Sequence, residues 1–149
     1  MNEKEYSGEI MSWRRCELEF VRKVEVDNER IHSILNKAEQ RLNRAKNTPI
    51  NKENVSFIIE DYYEVIKELL TSYLLKNGLK SSNHQCLISF FYEKNKENER
   101  EARLIQQMSF FRNRLTYYGE DVPLDFYEDN KEEFDKIIAL IKMLIGGKK

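Results

Sequence analysis

The chain has 149 residues, enough for one domain of ordinary size whose helices bury a core without metals or disulfides. With 34% charged residues, only 5 glycines and 2 prolines, its composition is that of long solvated helices and leaves too few turn residues for a sandwich or barrel. The 25 Lys and Arg nearly balance the 26 Asp and Glu, which excludes a strong overall basic field, so any nucleic-acid site has to be local.

The first 26 residues differ in pattern from the rest of the chain. Their apolar residues suit two conformations: a helix through Trp13, Phe20, Val21 and Val24, or a strand through Cys16, Leu18, Phe20, Val24 and Val26. We therefore expect residues 1–26 to form an arm of either conformation, packed on a bundle domain over residues 27–149.

The sequence contains neither a membrane span nor a paired-cysteine motif. No apolar run approaches the ~20 residues that cross a bilayer, and residues 1–5 are polar rather than the start of a signal peptide. These features predict a cytoplasmic chain without membrane contact. Cys16 and Cys86 lie far apart in sequence, so we expect both to be reduced, structural thiols.

Two long amphipathic helices are predicted after the arm. The first runs from about Asn28 to Lys46, with its N-terminus capped by Asp27 or Asn28 and one apolar face. That face consists of Ile31, Ile34, Leu35, Ala38, Leu42 and Ala45. Pro49 interrupts the pattern, and the second helix carries a wide apolar stripe from Val55 to Leu74 before it stops at Asn77-Gly78. The width of this stripe predicts the central element of the fold.

Three further helices are predicted in the second half of the chain. A capping box of Ser82 and Gln85 begins the third, which ends near Glu93, and residues 94–100 form an exposed connection that passes into the polar first turn of the next helix. The fourth has Leu104, Met108, Phe111, Leu115 and Tyr118 on its core side and ends at Gly119; the fifth is predicted to begin at a capping box of Asn130 and Glu133. Short links between such helices predict an all-α, up-and-down antiparallel bundle of four to five core helices with an N-terminal arm.

The fourth helix has an uncharged side opposite its core stripe. At about 100° per residue, this side collects Gln106, Ser109, Asn113, Thr116 and Tyr117. A solvated face in so charged a chain would normally carry Lys and Glu. The pattern therefore predicts a surface that another molecule covers, and a second copy of the chain is the simplest cover.

Arg112 and Arg114 are candidates for binding phosphate near the end of that helix. Guanidinium groups form paired charge-assisted bonds to phosphate oxygens, the Asn113 amide can orient a ribose, and neighbouring tyrosines can stack on a base. The alternative is structural: Arg112 pairs with a carboxylate such as Glu64 or Asp61, and the tyrosines simply pack.

The order of these elements resembles the HEPN family of small helical nucleotide- and RNA-associated proteins, archaeal members in particular. The resemblance covers roughly residues 28–147, with residues 13–16 as part of the arm. It rests on residues 63–70 of the second helix, the turn at residues 78–81, His84, and Arg112-Asn113 followed by Gly119.

The resemblance implies a homodimer with a metal-independent RNA-cleaving site between its subunits. The family signature is an Arg, a polar residue and a nearby His; Arg112 and Asn113 match it, and Tyr117 stands where the nearest-spaced His would be. A phenol, with a pKa near ~10, is a poorer proton shuttle at neutral pH than an imidazole. The implied catalytic residues are Arg112, Asn113 and Tyr117, and the implied RNA or nucleotide contacts are Arg112, Arg114, Tyr118 and His84.

Some toxins of the family are silenced by a small nucleotidyltransferase partner that modifies a Tyr just beyond the signature. That position is Gly119 here. Apart from this difference, the resemblance implies an RNA-binding, RNA-cleaving protein of the toxin type that is paired with a nucleotidyltransferase. The alternative function is a non-catalytic nucleotide-binding or protein-interaction module.

The remaining titratable residues predict no cofactor and no metal site. Neither His32 nor His84 stands at a metal-ligand spacing from other ligand types; His32 is expected at the surface, and His84 has a structural alternative at the start of the third helix. The acidic residues of the second helix lack a Glu-x-x-His motif, so an ion-paired or solvated face is expected for them: Glu60, Asp61, Glu64 and Glu68.

Overall fold

The computed structural model describes residues 8–147 and forms an all-α bundle with an N-terminal arm, which confirms the predicted fold class. The described residues contain six helices: α1 (Trp13–Glu19), α2 (Asn28–Lys46), α3 (Val55–Lys76), α4 (His84–Lys94), α5 (Glu99–Tyr118) and α6 (Leu124–Ile145). A short antiparallel pair, β1 (Val21–Lys23) and β2 (Leu79–Ser81), joins the arm to the bundle, with Val21 opposite Ser81. A 3₁₀ turn at Lys96–Asn98 leads into α5, the predicted fourth core helix.

α3 is the central helix, as its wide apolar stripe predicts. It packs against α2, α4, α5 and α6, and most of its side chains are buried by these four helices. The core that surrounds it is built from large apolar side chains of the other helices: Phe90 and Phe91 of α4, Ile105 and Met108 of α5, and Phe134 and Ile137 of α6. Removing this apolar area from water is the main stabilising term for such a bundle.

The ends of α2, α3 and α5 follow the predicted stop and start residues. Asp27 caps α2 by accepting a 3.1 Å hydrogen bond from the Arg30 amide. Gly119 ends α5 in the left-handed region, at φ 64°, and its amide donates to the Leu115 carbonyl at 3.0 Å. The end of α5 is therefore fixed at the residues that carry the candidate site.

Two predicted helix starts are wrong. Asn83, not Ser82, caps α4, because its side-chain oxygen accepts from the Gln85 amide at 2.9 Å. α6 begins at Leu124 after Pro123, well before the predicted cap Asn130. The Asn130 side-chain amide donates to the Phe126 carbonyl at 2.8 Å, so Asn130 lies inside the helix and does not cap it.

The arm combines the two predicted conformations, a helix at α1 followed by the strand β1. α1 packs on α4 with the Trp13 and Phe90 ring centroids 5.2 Å apart. The expectation of reduced cysteines is wrong: a disulfide joins Cys16 of α1 to Cys86 of α4, with Cα atoms 5.6 Å apart. Docking of α1 on α4 brings the two cysteines together across a long stretch of chain, and sequence spacing cannot reveal such a contact.

Among residues 8–147, every helix is too short or too polar to cross a lipid bilayer. The polar start at residues 1–5, on which the expectation about a signal peptide rests, lies outside the described residues, together with 6, 7, 148 and 149.

Candidate functional site

The uncharged side of α5 is only partly a surface, which corrects the expectation from its helical periodicity. Gln106 and Ser109 are 8% and 3% exposed, because the arm and α4 cover the first half of this side. Asn113 is half-buried, whereas Thr116 and Tyr117 are exposed. A second copy of the chain can therefore contact only the last turns of this side. The core stripe differs too, since Leu104 and Leu115 are half-buried while other α5 residues fill the core: Ala102, Ile105, Met108 and Phe111.

Ser109 links three elements beneath the candidate site. The Tyr63 hydroxyl of α3 and the Gln85 side-chain amide of α4 both donate to the Ser109 hydroxyl oxygen, each at 3.3 Å. Burial raises the pKa of Tyr63, and the Ser109 bond partly offsets that shift. This network fixes the first turn of α4 against α5, and His84 is the residue immediately before Gln85.

Arg112 forms an ion pair inside the subunit, which confirms the structural alternative for its contact. Its Nη2 atom lies 3.7 Å from Oε2 of Glu64, and its Nη1 atom donates to Oδ1 of Asn113 at 3.3 Å. Glu64 also pairs with Lys67, the Nζ and Oε1 atoms lying 2.7 Å apart. Nε of Arg112 and Oε2 of Glu64 are buried without a hydrogen-bond partner. Arg112 is thus held in place electrostatically while part of its donor capacity remains unused.

His84 belongs to the same cluster. Partial burial lowers the pKa of its imidazole, the charges of Lys67 and Arg112 lower it further, and the charge of Glu64 opposes them. An imidazole with a pKa below 6.5 is neutral at pH 7 and can accept a proton.

Arg114 is engaged by neighbouring residues at the end of α5. Its Nε donates to Glu120 Oε1 at 3.1 Å, its Nη2 bonds the second carboxylate oxygen, and its guanidinium lies 4.3 Å from the centroid of the Tyr118 ring. The bond to Glu120 raises the pKa of Arg114 and lowers that of the carboxyl. These contacts fix the residues that follow α5. Arg114 therefore has other partners than Arg112, which contacts Glu64 and Asn113.

Tyr117 and Tyr118 are 71% and 62% exposed. Tyr118 contacts Arg114 but does not lie on the core side of α5 as predicted, and neither ring is buried in the subunit as the structural alternative would have it. Phe57, near the start of α3, is another exposed aromatic residue. The Val122 amide donates to Ser56 at 2.8 Å, which places the start of α3 beside the residues that follow α5. The three exposed rings therefore lie toward one end of the bundle.

The acidic residues of α3 form the predicted ion-paired face. Asp61 pairs with Arg44 at 2.6 Å, and Glu68 pairs with Arg41 at 3.2 Å. His32 is exposed, as expected. Within the described part of the chain, His, Cys, Asp and Glu side chains form no group of three or more arranged to hold a metal ion.

A cleft opens next to the cluster, between residues 9–15 of the arm and the first turns of α4 and the side of α5. It measures about 600 Å³ and is lined by Gln85, Gln106, Ser109, Phe110 and Asn113 on the bundle side. Asn113 borders both this cleft and Arg112. The cleft and the charged cluster are therefore adjacent.

The structure brings His84, Arg112 and Asn113 together and leaves Arg114, Tyr117 and Tyr118 beyond the end of the cluster. Sequence reasoning assigned Lys67 and Gln85 no role at the site. The signal for Lys67 was its position one turn after Glu64, on the side of α3 that Arg112 meets. Gln85 gave no such signal, because its role depends on how α4 docks against α5. In comparisons with known proteins, the chain matches no protein-family model, no curated protein and no solved structure.

Proposed function

We propose that the chain is a HEPN-like homodimer that binds RNA and cleaves it without a metal ion, with Arg112, Asn113 and His84 at the centre of its site. One observation carries the proposal: α3, α4 and α5 bring Glu64, His84 and Arg112 into one half-buried cluster beside a cleft. Residues with shifted pKa values often cluster at functional sites, so a cluster of titratable groups beside a cleft is a candidate site.

Arg112 is the phosphate-binding group of this proposal. Its side chain is 22% exposed, and its contact with Glu64, at 3.7 Å, is longer than a hydrogen bond. A phosphate oxygen would supply an acceptor that the carboxylate does not. Lys67 lies on the other side of Glu64 and adds a second positive charge. Because positive and negative charges nearly balance over the whole chain, an RNA site needs local positive charge, and Arg112 and Lys67 supply it.

His84 supplies the imidazole that the α5 signature lacks. In the proposed reaction it accepts the proton of a ribose 2′-hydroxyl, whose oxygen then attacks the adjacent phosphorus. The 5′-oxygen leaves with a proton from a phenol, for which Tyr117 is the candidate, and a cyclic phosphate remains. Arg112 neutralises the charge that builds on the phosphate oxygens.

A second copy of the chain is the proposed cover for the exposed end of α5. Tyr117 and Tyr118 expose large aromatic surfaces in a chain otherwise rich in surface charge, and aromatic residues are enriched in protein interfaces. A symmetric contact through this end would bring Tyr117 of each subunit toward the other. The dimer would thereby form one trough from two clusters.

The biological setting in this proposal is a toxin-type role, paired with a small nucleotidyltransferase, in a cytoplasm where a disulfide such as Cys16–Cys86 persists, as it does in hyperthermophiles. It derives from the family resemblance. Gly119 stands where the modified Tyr of such toxins would be, so the partner would act here by binding or at another residue. Co-expression with a nucleotidyltransferase encoded beside the chain should yield a stable complex, and separate elution of the two proteins would count against the pairing.

The direct test incubates the purified protein with a labelled single-stranded RNA in the presence of EDTA. We expect a retained complex on a native gel and shortened RNA on a denaturing gel. Arg112→Ala should lose both. Arg100→Ala removes an exposed arginine from the same helix and serves as the matched control, with both effects retained. Wild-type protein that neither retains nor shortens RNA would refute the proposal.

The ion pair of Arg112 favours one alternative, a non-catalytic nucleotide-binding or protein-interaction module. If Glu64 neutralises Arg112 permanently, the cluster fixes α3 to α5 and the adjacent cleft does the binding. This alternative predicts RNA or nucleotide retention without shortened RNA at any pH. The denaturing gel distinguishes the two functions.

A further inference from the structure

The cleft beside Arg112 contains a buried acceptor that nothing in the described residues satisfies. Gln106 is 8% exposed and lines the cleft; its amide nitrogen donates to the Glu9 carbonyl, but its carbonyl oxygen Oε1 has no hydrogen-bond partner. A buried unsatisfied acceptor is costly, and native proteins contain few of them. A bound molecule with a hydrogen-bond donor would satisfy this atom.

The size and walls of the cleft suit a small, polar, flat ligand. Its volume of about 600 Å³ lies within the range of about 300–1,000 Å³ typical of small-molecule sites. Amide groups of Gln85, Gln106 and Asn113 and the Ser109 hydroxyl line the bundle side. These neutral groups both donate and accept hydrogen bonds, and the ring of Phe110 adds an apolar surface.

Nucleobases match this set of groups better than charged metabolites do. A base edge presents donors and acceptors side by side, amide side chains pair with such edges, and aromatic rings stack on base faces. Anionic ligands would instead require cationic groups on the bundle side, which has none; Arg15 on the arm side of the cleft pairs with Glu19 at 3.5 Å, and Glu9 beside it is acidic.

We propose that the cleft is the nucleobase subsite of the RNA site, with the base against Gln106 and the neighbouring phosphate at Arg112. Asn113 connects the two positions, since it lines the cleft and accepts from Arg112 at 3.3 Å. This inference rests on the proposed RNA-binding function and names the part of RNA that the cleft recognises.

The test titrates the folded full-length protein with adenosine, guanosine, cytidine and uridine and follows side-chain amide signals by NMR. Nucleosides carry no phosphate, so they report on the cleft alone. We expect saturable shifts of the Gln106, Gln85 and Asn113 amides with at least one nucleoside. Gln106→Leu should weaken that binding at least tenfold.

Gln107→Leu is the matched control, because Gln107 follows on the same helix and does not line this cleft; it should bind as wild type does. Gln85→Ala, at a half-exposed residue, provides a second variant should Gln106→Leu fail to fold, and it should also weaken binding. Equal binding by the Gln106→Leu and Gln107→Leu variants would overturn the proposal.

Two further outcomes decide between this inference and the function on which it rests. If no nucleoside shifts these amides while single-stranded RNA is still retained, the base subsite is refuted and the RNA function stands. If nucleosides bind and RNA does not, nucleobase recognition by the cleft is supported, but the RNA function and the place of the cleft in an RNA site are refuted. Equal shifts with N-acetylglycinamide would identify a peptide-amide site and overturn the assignment to nucleobases.

Discussion

Glu64 sets the local charge around Arg112, because it contacts both Arg112 and Lys67. Glu64→Gln removes one negative charge and should tighten RNA binding about fivefold, which corresponds to roughly 1 kcal/mol. It should also destabilise the fold by about 1–3 kcal/mol, because two half-buried cations lose their counter-charge. Glu60→Gln on the same helix is the control for both measurements, RNA titration and urea unfolding. Unchanged RNA affinity would favour a purely structural ion pair.

His84 should report its surroundings through its pKa. Lys67→Gln removes a positive charge and should raise this pKa toward 6.5, whereas Glu64→Gln should lower it further. An NMR titration of the ring checks both directions. The folded pKa lies below the unfolded value, so the stability contributed by the neutral ring is present above about pH 6.5. That stability is lost as the pH falls from there toward the folded pKa.

A pKa of His84 that does not respond to either substitution would contradict its place in the cluster. Under the proposed reaction, RNA cleavage should increase with pH through the same pKa, since only the neutral imidazole accepts a proton. A cleavage rate that decreases across this interval would assign the base to another group.

At the scale of elements, the disulfide fixes the arm that walls the cleft. Cys16 and Cys86 join α1 to α4 over a sequence separation of 70 residues, and Met11 lies 3.3 Å from Cys16 Sγ. Replacing both cysteines by serine should lower the free energy of unfolding by about 3–4 kcal/mol under non-reducing conditions. Urea unfolding measures this difference. A reductant should destabilise the wild type and leave the serine variant unchanged; equal stability of both proteins without reductant would show that the bond does not form.

The arm is also tied to α5 directly. Arg103 donates to the Gly8 carbonyl at 2.7 Å, and Gln106 donates to the Glu9 carbonyl. These bonds explain why half of the uncharged side of α5 is buried. Its amides serve the arm and α4, so the absence of charge there is a packing requirement over the first turns.

Sequence patterns were sufficient for elements that are bounded by local signals and failed where distant contacts decide. Pro49, Asn77-Gly78 and Gly119 mark helix ends by backbone geometry alone, and those ends are as predicted. Asn130 has the composition of a cap but lies inside α6, because the apolar Phe126 packs in the core and draws the helix start back to Leu124. The disulfide and the link between Gln85 and Ser109 depend on helix docking, which spacing does not encode.

The proposed site forms only when two copies of the chain are in contact. Light scattering should give twice the 17.9 kDa mass of one chain. Tyr117→Glu places a charge on the exposed end of α5 and should yield the single-chain mass. Leu18→Glu, at an exposed apolar residue of α1, is the control and should leave the mass doubled. Wild-type protein with the mass of one chain would remove the composite trough.

The candidate site divides in the same way between local and distant information. Arg112-Asn113 is visible in the sequence because the pair stands near a helix end next to uncharged residues. The contributions of Glu64, Lys67 and His84 come from two other helices, and only the fold brings them together. The family resemblance supplied the expectation of RNA; the physical contacts supplied the groups that could bind it.

The salt dependence of RNA affinity is the sharpest test of phosphate binding by Arg112. Fluorescence anisotropy with a single-stranded RNA at several salt concentrations gives the slope of log affinity against log salt. Arg112→Ala loses one phosphate contact, so it should bind RNA more weakly and reduce the magnitude of this slope by about 0.7. Arg100→Ala, on the same helix, should have the affinity and slope of the wild type. An Arg112→Ala variant with the affinity and slope of the wild type would show that Arg112 does not bind an RNA phosphate.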